Sequence, residues 1–348
     1  MKTGTGVMGK NSVIVMFSGG LDSVMAAHLL KSQGLDVTAL HFLLPFYSGL
    51  GRRPRQIEEY AAALGVPLRV EEEGGEYLAM FRAPKFGYGK NANPCVDCRI
   101  HRLAKAGRIV EETGAACLAT GEVVGQRPMS QKLHTMLKVE ELAGLRGKLL
   151  RPLSAKLLAP TDAENAGIID REKLFGISGR SRTVQLAYAK RHGLSHSAPA
   201  GGCLLTNVET GVRFKDLSSN DPDYTLTDFK LLAYGRHFRL SPDYRLIVSR
   251  DGDENEVIEK IAETGNAGNI IQLYLRDATG PLALGIGKPG EEELRFSAAA
   301  VVRFSKMRGA EKAAVVVKGN NNNMERVIEV SAAGEQEMDR FRVASKPK

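Results

Sequence analysis

The sequence predicts an α/β protein in which a doubly wound parallel sheet is followed by a second, smaller α+β domain. Three observations predict it. Over the first half, apolar runs of strand length alternate with stretches of helical periodicity, the signature of βαβ units. The first of those runs leads straight into a glycine turn and then a helix-forming stretch. Beyond residue 221 the order changes to neighbouring strands with fewer helices between them, which describes a mixed module.

Taken in order, residues 1–11 lack the apolar segment of a signal peptide and read as a loose tail. Strands are expected at Ser12 to Phe17, Asp36 to Phe42, Pro67 to Val70 and Ala116 to Thr120. Helices are expected at Asp22 to Ser32, Pro54 to Leu64 and Ile100 to Glu112. These fall in a first domain, residues 12–208. Sheets of this kind bind ligands at the carboxyl ends of their strands. That places the turn after Phe17, the backbone of Leu40 to Phe42 and Thr120-Gly121-Glu122 on one edge.

Periodicity breaks from Gly201 to Asp221, where the domain boundary is expected. The second domain, residues 222–343, has helices at Leu226 to Tyr234, Asp253 to Glu263 and Glu291 to Ser305. Its strands are His237 to Leu240, Tyr244 to Ser249, Ile270 to Tyr274, Leu282 to Ile286, Ala313 to Lys318 and Glu325 to Val330. Gly319 to Asn323 reads as a turn, not a site.

At 348 residues the chain can bury two cores. It has no apolar run of 18 residues, so no membrane partner is expected. Four cysteines, two of them as CxxC, suit a reducing cytoplasm better than a disulfide framework. The net charge of +8 is unevenly placed: residues 210–348 hold 21 basic and 21 acidic side chains, so the excess lies before them. Arg99 to Arg191 alone holds 17 basic against 9 acidic. Such a surface either attracts a polyanion such as RNA or is simply a solvated basic face.

Residues Phe17 to Ser23 read FSGGLDS. Gly19 and Gly20 let the backbone approach an anion, the following helix presents free N–H groups and its positive end, and Ser18 and Ser23 add hydroxyl donors. No lysine follows the last glycine, so this is not a Walker A loop, nor is it GxGxxG. A nucleotide phosphate is therefore expected on Ser18, Gly19, Gly20, Asp22 and Ser23, with an adenine ring on His41 and Phe42. A bland alternative is a helix cap provided by Asp22.

Cys95 and Cys98 form a CxxC before the expected helix, where thiolate is favoured. Cys203 follows Gly201-Gly202, whereas Cys117 sits in an apolar run and reads as core. Three chemistries fit Cys95, Cys98 and Cys203. One is a [4Fe-4S] cluster on three thiolates with an open iron, another a structural Zn²⁺ completed by His101, and the third a disulfide or persulfide relay.

SGGLDS resembles the signature of the PP-loop ATP pyrophosphatases, which implies that the nucleotide is ATP, with Mg²⁺ near Asp22, an adenine nucleotide alpha hydrolase-like fold and cleavage of ATP between its α and β phosphates. With NPCVDCRIH, LATGEVVGQ, RPLS and GGC in one order, residues 12–206 resemble the PP-loop tRNA thiolation enzymes. They are most similar to the 4-thiouridine synthase family, in its three-cysteine form without a rhodanese domain. TGE at Thr120 to Glu122, then Gly125-Gln126 and Ser130-Gln131, matches that family's TGExxGQxxSQ. The match implies nucleotide-binding roles for Gly121 and Gln126. After its RPL the family carries a catalytic lysine; Lys156 stands two positions early. The family's amino-terminal THUMP domain has no counterpart. Residues Gly235 to Asn255 are instead similar to an NFACT-R type RNA-binding domain. Arg236, His237, Arg239, Arg245 and Arg250 there, with Phe238 and Tyr244 among them, suit phosphate contact and base stacking.

The resemblance implies an ATP-dependent tRNA sulfurtransferase. A uridine carbonyl oxygen attacks the α-phosphate, pyrophosphate leaves, and sulfur displaces AMP. Expected catalytic residues are Asp22, Cys203 and Lys156, with Arg180 and Arg182 at the α-phosphate or on RNA beside Arg236, Arg239 and Arg250. Expected partners are tRNA, a sulfur donor (sulfide or a cysteine desulfurase persulfide) and a second copy of the chain. The alternatives are a PP-loop sulfur transferase acting on a small molecule or cofactor precursor, and an RNA-binding protein with a vestigial ATP site.

Overall fold

The structure is a computed structural model and describes residues 9–47, 52–127, 130–198, 203–265, 269–319 and 325–344. Two units emerge. The first comprises Met1–Leu44, Gly51–Tyr88 and Pro94–Gly201; the second comprises Pro45–Leu50, Gly89–Asn93 and Gly202–Lys348.

In the first unit the elements run β1 (Ser12–Met16), α1 (Leu21–Lys31), β2 (Asp36–Leu43), α2 (Arg52–Ala63), β3 (Leu68–Glu72), α3 (Gly75–Arg82), α4 (Cys95–Thr113), β4 (Cys117–Thr120), α5 (Leu133–Leu142), β5 (Leu149–Leu150), α6 (Asp162–Asn165) and α7 (Thr183–Arg191). The sheet order is β3-β2-β1-β4-β5 with every pair parallel. The chain order reverses at β1, so the switch point lies between β1 and β4. Both faces are covered, as the period of two in β1 requires. Val13 and Val15 pack with Val24, Ala27 and Leu30 of α1 and Ile57 of α2. Ile14 faces the other way, onto Leu103, Ile109 and Val139 of α4 and α5. This is the doubly wound α/β architecture.

The second unit contains α8 (Val208–Asn220), α9 (Leu226–Leu231), β6 (Arg236–Ser241), β7 (Tyr244–Val248), α10 (Gly252–Thr264), β8 (Ile270–Leu275), β9 (Ala283–Gly287), α11 (Glu291–Arg303), β10 (Ala313–Gly319), β11 (Glu325–Val330) and α12 (Glu335–Phe341). Its sheet, in the order β11-β10-β8-β9-β7-β6, is antiparallel throughout. Leu246 and Val248 of β7 pack on Phe296 and Val301 of α11, while Ile247 faces Val257, Ile258 and Ile261 of α10.

Two short stretches that precede it in sequence belong to this unit. Phe46 stacks edge-on against Phe229 at 5.3 Å, and the Asn91 side chain donates to the Thr206 carbonyl at 2.6 Å.

Two expectations about local structure are corrected. The stretch read as irregular up to Asp221 contains α8: the Asn207 side chain accepts from the Glu209 N–H, and Leu217 anchors the helix inward. The polar Ser218-Ser219-Asn220 run is its last turn, so composition had masked a capped helix. Helix α4 begins at Cys95 rather than Ile100, because Asp97 in its first turn accepts from the N–H groups of Lys85 and Phe86 at 2.8 and 3.1 Å. Gly201-Gly202 and Asn320 to Asn323 lie outside the described residues, as do residues 1–8 of the expected tail. Among the described residues no helix is long and apolar enough to cross a membrane.

Candidate functional site

The turn after β1 is built by its glycines and serines. Gly19 has φ +72°, a left-handed conformation, and a side chain there would strike Ile57 and Tyr60 at 2.8 Å. Gly20 is the N-cap of α1, and the first helical bond runs from Val24 N–H to its carbonyl at 3.0 Å. The N–H groups of Leu21, Asp22 and Ser23 therefore have no acceptor inside the helix and point out of its positive end. The Ser18 and Ser23 hydroxyls lie 3.2 Å apart, and Ser23 Oγ donates to the Gly20 carbonyl at 2.9 Å. Asp22 does not cap the helix, which removes the bland reading. Its carboxylate instead accepts from Gln126 Nε2 at 2.7 Å and Gln185 Nε2 at 3.5 Å, and Arg182 lies 3.6 Å away.

Gly121 explains how β4 meets this loop. A Cβ on it would sit 2.5 Å from Asp22 C and Ser23 N and 2.6 Å from Asp22 O. Only a glycine lets the end of β4 touch the first turn of α1. Beside this contact a cleft of about 240 Å³ opens, with Met16, Ser18, Asp22, Ser23, Thr120 and Gly121 on one side. Arg99, Arg102, Leu103, Glu122, Arg127 and Gln131 line the rest.

Glu122 ties the cleft to the core. It pairs with Arg99 and, at 3.2 Å, with Arg151, which is 2 % exposed and also grips Glu140. Burial would raise the Glu122 carboxyl, but the two guanidiniums outweigh it and hold it below the ordinary range. Arg99 also donates to the Ser130 carbonyl, which fixes the arginine along the cleft wall.

The other expected residues are distributed as follows. His41 Nδ1 sits 2.8 Å from the Phe17 carbonyl at the end of β1, and Phe42 is buried. Lys156 does not line the cleft: its ammonium binds the Glu172 carbonyl at 2.9 Å and carboxylate at 3.1 Å. Arg180 is exposed and also outside the cleft lining.

Cys95 is exposed and Cys98 half-buried on the first turn of α4, and Cys98 Sγ accepts from the Tyr77 hydroxyl at 3.7 Å. Cys203 is exposed in the second unit. Cys117 is core, its thiol pushed up to about 12 by burial.

His101, expected as a zinc ligand, has its Nε2 on the buried Glu73 carboxylate at 3.0 Å. Among the described residues, no three His, Cys, Asp or Glu side chains gather as a metal-binding group. Of the three thiols expected to hold a [4Fe-4S] cluster or Zn²⁺, Cys95 and Cys98 belong to the first unit and Cys203 to the second. Mg²⁺ would find its carboxylate at Asp22. The lone pairs that Gln126 and Gln185 leave on Asp22 suit an ion that takes one or two carboxylates and completes its shell with phosphate and water.

In the second unit the arginine and aromatic cluster separates into two sets. Phe238 and Tyr244 are fully buried, and His237 and Arg245 nearly so. None of the four is presented for stacking or phosphate contact, because their side chains on β6 and β7 point into the cores on the two covered faces of the sheet. Arg245 instead pairs with Asp228 of the capping box that opens α9. Of the three expected RNA contacts, Arg239 binds Asp216 at 2.8 Å. Arg236 donates to the Ser249 carbonyl at 2.7 Å over the Phe304 ring, and Arg250 is exposed and paired with Glu254.

Sequence reasoning missed Gln185, Arg99, Arg102, Arg127 and Arg151. Gln185 belongs to α7, a helix with no glycine or charge signature to announce it. Arg99 and Arg102 carried a usable signal, since they follow Cys98 on one helical face toward the loop.

Residues 6–156 match the family model described as thiamine biosynthesis protein (ThiI), and residues 235–342 match that of the NFACT protein RNA binding domain. Curated relatives include the tRNA-specific 2-thiouridylase MnmA of Trichlorobacter lovleyi, 36% identical over 120 residues, covering 32% of this chain and 33% of that protein. The same enzyme of Nitrobacter winogradskyi is 31% identical over 138 residues, covering 36% and 34%. The chain thus spans about a third of the length of these relatives. Among solved structures, the U34-tRNA thiolase NcsA from Methanococcus maripaludis with its [4Fe-4S] cluster aligns at 16% identity and a TM-score of 0.33, over 65% of this chain and 71% of that one. That likeness is too low to bear on the chemistry. Residues 6–156 are thus similar to the ThiI family and residues 235–342 to the NFACT RNA binding domain.

Proposed function

We propose that the chain is an ATP-dependent tRNA sulfurtransferase that adenylates a uridine carbonyl oxygen and replaces it with sulfur. The observation that carries this reading is the contact of Gly121 with the first turn of α1. It sets the phosphate loop, Asp22 and an arginine-lined cleft side by side. The MnmA relatives are named as tRNA thiouridylases, which supports the same acceptor class.

In this mechanism the N–H groups of Leu21, Asp22 and Ser23 and the two serine hydroxyls bind the ATP phosphates. Mg²⁺ bound at Asp22 would neutralise phosphate charge as pyrophosphate departs. Gln126 and Gln185 hold the Asp22 carboxylate in one orientation, and Arg182 limits its charge. Arg99, kept in place by Glu122, stabilises negative charge that develops in the cleft.

Once the oxygen carries AMP, its carbon is open to attack. A persulfide on one of Cys95, Cys98 and Cys203 adds through its terminal sulfur and expels AMP. A second cysteine thiol then attacks the inner sulfur, which leaves the thiocarbonyl on the base and a disulfide on the protein. The RNA-binding-type domain supplies affinity for tRNA through exposed side chains such as Arg250. The test is pyrophosphate release with and without added tRNA, followed by mass spectrometry of the nucleosides. RNA-dependent release with a thiolated uridine is expected, and release that ignores RNA refutes the reading.

A further inference from the structure

The end of α1 far from the glycine turn opens onto a second pocket, of about 410 Å³, lined by residues of the first unit alone. That volume falls among those of small-molecule sites, about 300 to 1,000 Å³. His28 and Lys31 come from the last turn of α1 with Ser32 just after it, the end of α2 forms one wall, and His192 and Ser195 come from the stretch that closes α7. Three of the nine lining residues are basic and, among the described residues that line it, none is acidic.

Three helices end here, and the carbonyls of helix ends repel anions. The chain satisfies them itself. Lys31 Nζ donates to the carbonyls of Leu64 and Gly65 at 2.6 and 2.9 Å, and the Ser32 N–H and hydroxyl bind those of His28 and Leu29, both at 2.8 Å. The N–H groups of His192 and Leu194 bind the carbonyls of Tyr188 and Ala189 at 3.1 and 2.9 Å. With the carbonyls capped, the basic side chains set the sign of the pocket.

Lys31 has three ammonium protons, and its two carbonyl bonds leave one for a ligand. The His28 and His192 rings lie 4.9 Å apart, and His28 Nδ1 is 2.8 Å from the Tyr188 hydroxyl, which fixes that ring and leaves its Nε2 for a ligand. Burial, His192 and Lys31 all hold His28 below its ordinary range, and among the described residues nothing acidic offsets them. An anion relieves that repulsion. A divalent cation is the rival, but it wants three or four protein ligands, and two imidazoles without a carboxylate or thiol fall short.

We infer that this pocket binds a phosphate group, with the His28 and His192 imidazoles and the Lys31 ammonium as donors and the exposed Ser195 hydroxyl beside them. The phosphate belongs either to a small anion such as pyrophosphate or to the backbone of an RNA. The pocket is separate from the phosphate loop, since the 11 residues of α1 span about 16 Å. It therefore stands or falls independently of the sulfurtransferase reading.

The experiment uses the full chain labelled with carbon-13 in histidine, and the two imidazole signals are identified by their loss in His28→Gln and His192→Ala. Inorganic phosphate, pyrophosphate and a short single-stranded RNA without a terminal phosphate are added separately, up to about 10 mM, tenfold above a Kd of about 1 mM. Both signals should move toward their protonated positions, because a bound anion favours the charged ring, and sodium chloride at matched ionic strength should not move them. Saturation by pyrophosphate at lower phosphate concentration than by RNA assigns the site to a small anion, and the reverse order assigns it to the RNA backbone. Ser195→Glu places a carboxylate in the pocket and His192→Ala removes a donor. Each should weaken phosphate binding, read on the His28 signal, about 10- to 100-fold. Both positions are exposed, so the melting temperature should change little. Imidazole signals that ignore every phosphate, that follow sodium chloride equally, or that saturate alike in the parent protein and Ser195→Glu would overturn the inference.

Discussion

Replacing Gly121 by alanine adds one methyl group where the structure has no room for it. The new Cβ would lie 2.5 Å from two backbone atoms of α1 and 2.6 Å from a third. Ordinary contact needs about 1 Å more, and neither side can yield by rotating a side chain. β4 is held in register by β1, with Val13 opposite Cys117 through Met16 opposite Thr120. The first turn of α1 is held by the Gly20 cap and by packing of Val24 and Leu30 in the core. Strain of this kind costs about 2 to 3 kcal/mol. For a unit of this size that lowers the melting temperature by roughly 4 to 12 °C.

The functional effect should be larger than the stability effect. A displacement of about 1 Å at the phosphate loop costs on the order of 100-fold in rate. Calorimetry and pyrophosphate release on the same preparation measure both. A Gly121→Ala variant that melts within a degree of the parent protein and releases pyrophosphate at the same rate would refute the contact that carries the functional proposal.

Other consequences follow from the buried charges. Arg151→Met removes the guanidinium shared by Glu122 and Glu140, which strips the buried Glu140 of its partner and leaves Glu122 with Arg99; a loss of about 3 to 5 kcal/mol is expected in denaturant titration, and under 1 kcal/mol would show that the pair is solvated. Asp22→Asn keeps the shape of the loop but removes the charge that would meet Mg²⁺, so pyrophosphate release should fall about 100-fold or more with little change in melting temperature. His237 is held well below its ordinary range by burial and by Arg213 and Arg245, with Nε2 donating to the Tyr234 carbonyl at 2.9 Å. Its folded form resists the proton that the unfolded form accepts. Stability is therefore full above about pH 6.5 and falls by roughly 1.4 kcal/mol per unit below it. His237→Gln should flatten that slope in melts between pH 7.5 and 5.5, and an unchanged slope would place its origin elsewhere.

The sheet of the first unit was legible because each central strand is a short run of β-branched and apolar residues bounded by polar turns, and a run buried on both faces needs no partner to declare itself. Ser12 to Phe17 and Asp36 to Phe42 are such runs. β5 escaped because two residues, Leu149–Leu150, make a strand only by pairing with β4. α8 escaped because its polar last turn resembles a linker. At the site, Ser18 to Ser23 declared itself through backbone chemistry, which glycine and serine encode locally. The arginine wall did not, because which of 48 basic residues meets Glu122 depends on where α4 and β5 are carried by the sheet. The alternation around His237, Phe238, Tyr244 and Arg245, all four buried, misled for a related reason. Alternation implies an exposed face only on a sheet with one face open, and this one has α10 and α11 on opposite sides.

Helix α4 connects these observations, since it carries both the CxxC and two arginines of the cleft wall. Its first turn carries Cys95 and Cys98, with Asp97 between them anchoring the preceding loop through two backbone N–H groups. One turn later Arg99 and Arg102 face the cleft, while on another side His101 and Lys105 meet the buried Glu73 at 3.0 and 3.4 Å. Burial would raise the Glu73 carboxyl, but those two partners hold it below its ordinary range, so it stays ionised and fixes the rotation of the helix about its axis. Rotation is what the chemistry needs. A turn of one residue, 100°, would carry Arg99 and Arg102 out of the cleft and reorient the thiols with them. A Glu73→Gln variant keeps the hydrogen bond to His101 while losing the charge that binds Lys105. It should therefore leave ATP binding intact and slow both adenylation and sulfur transfer, whereas a defect confined to sulfur transfer would show that the thiols move independently of the arginine wall.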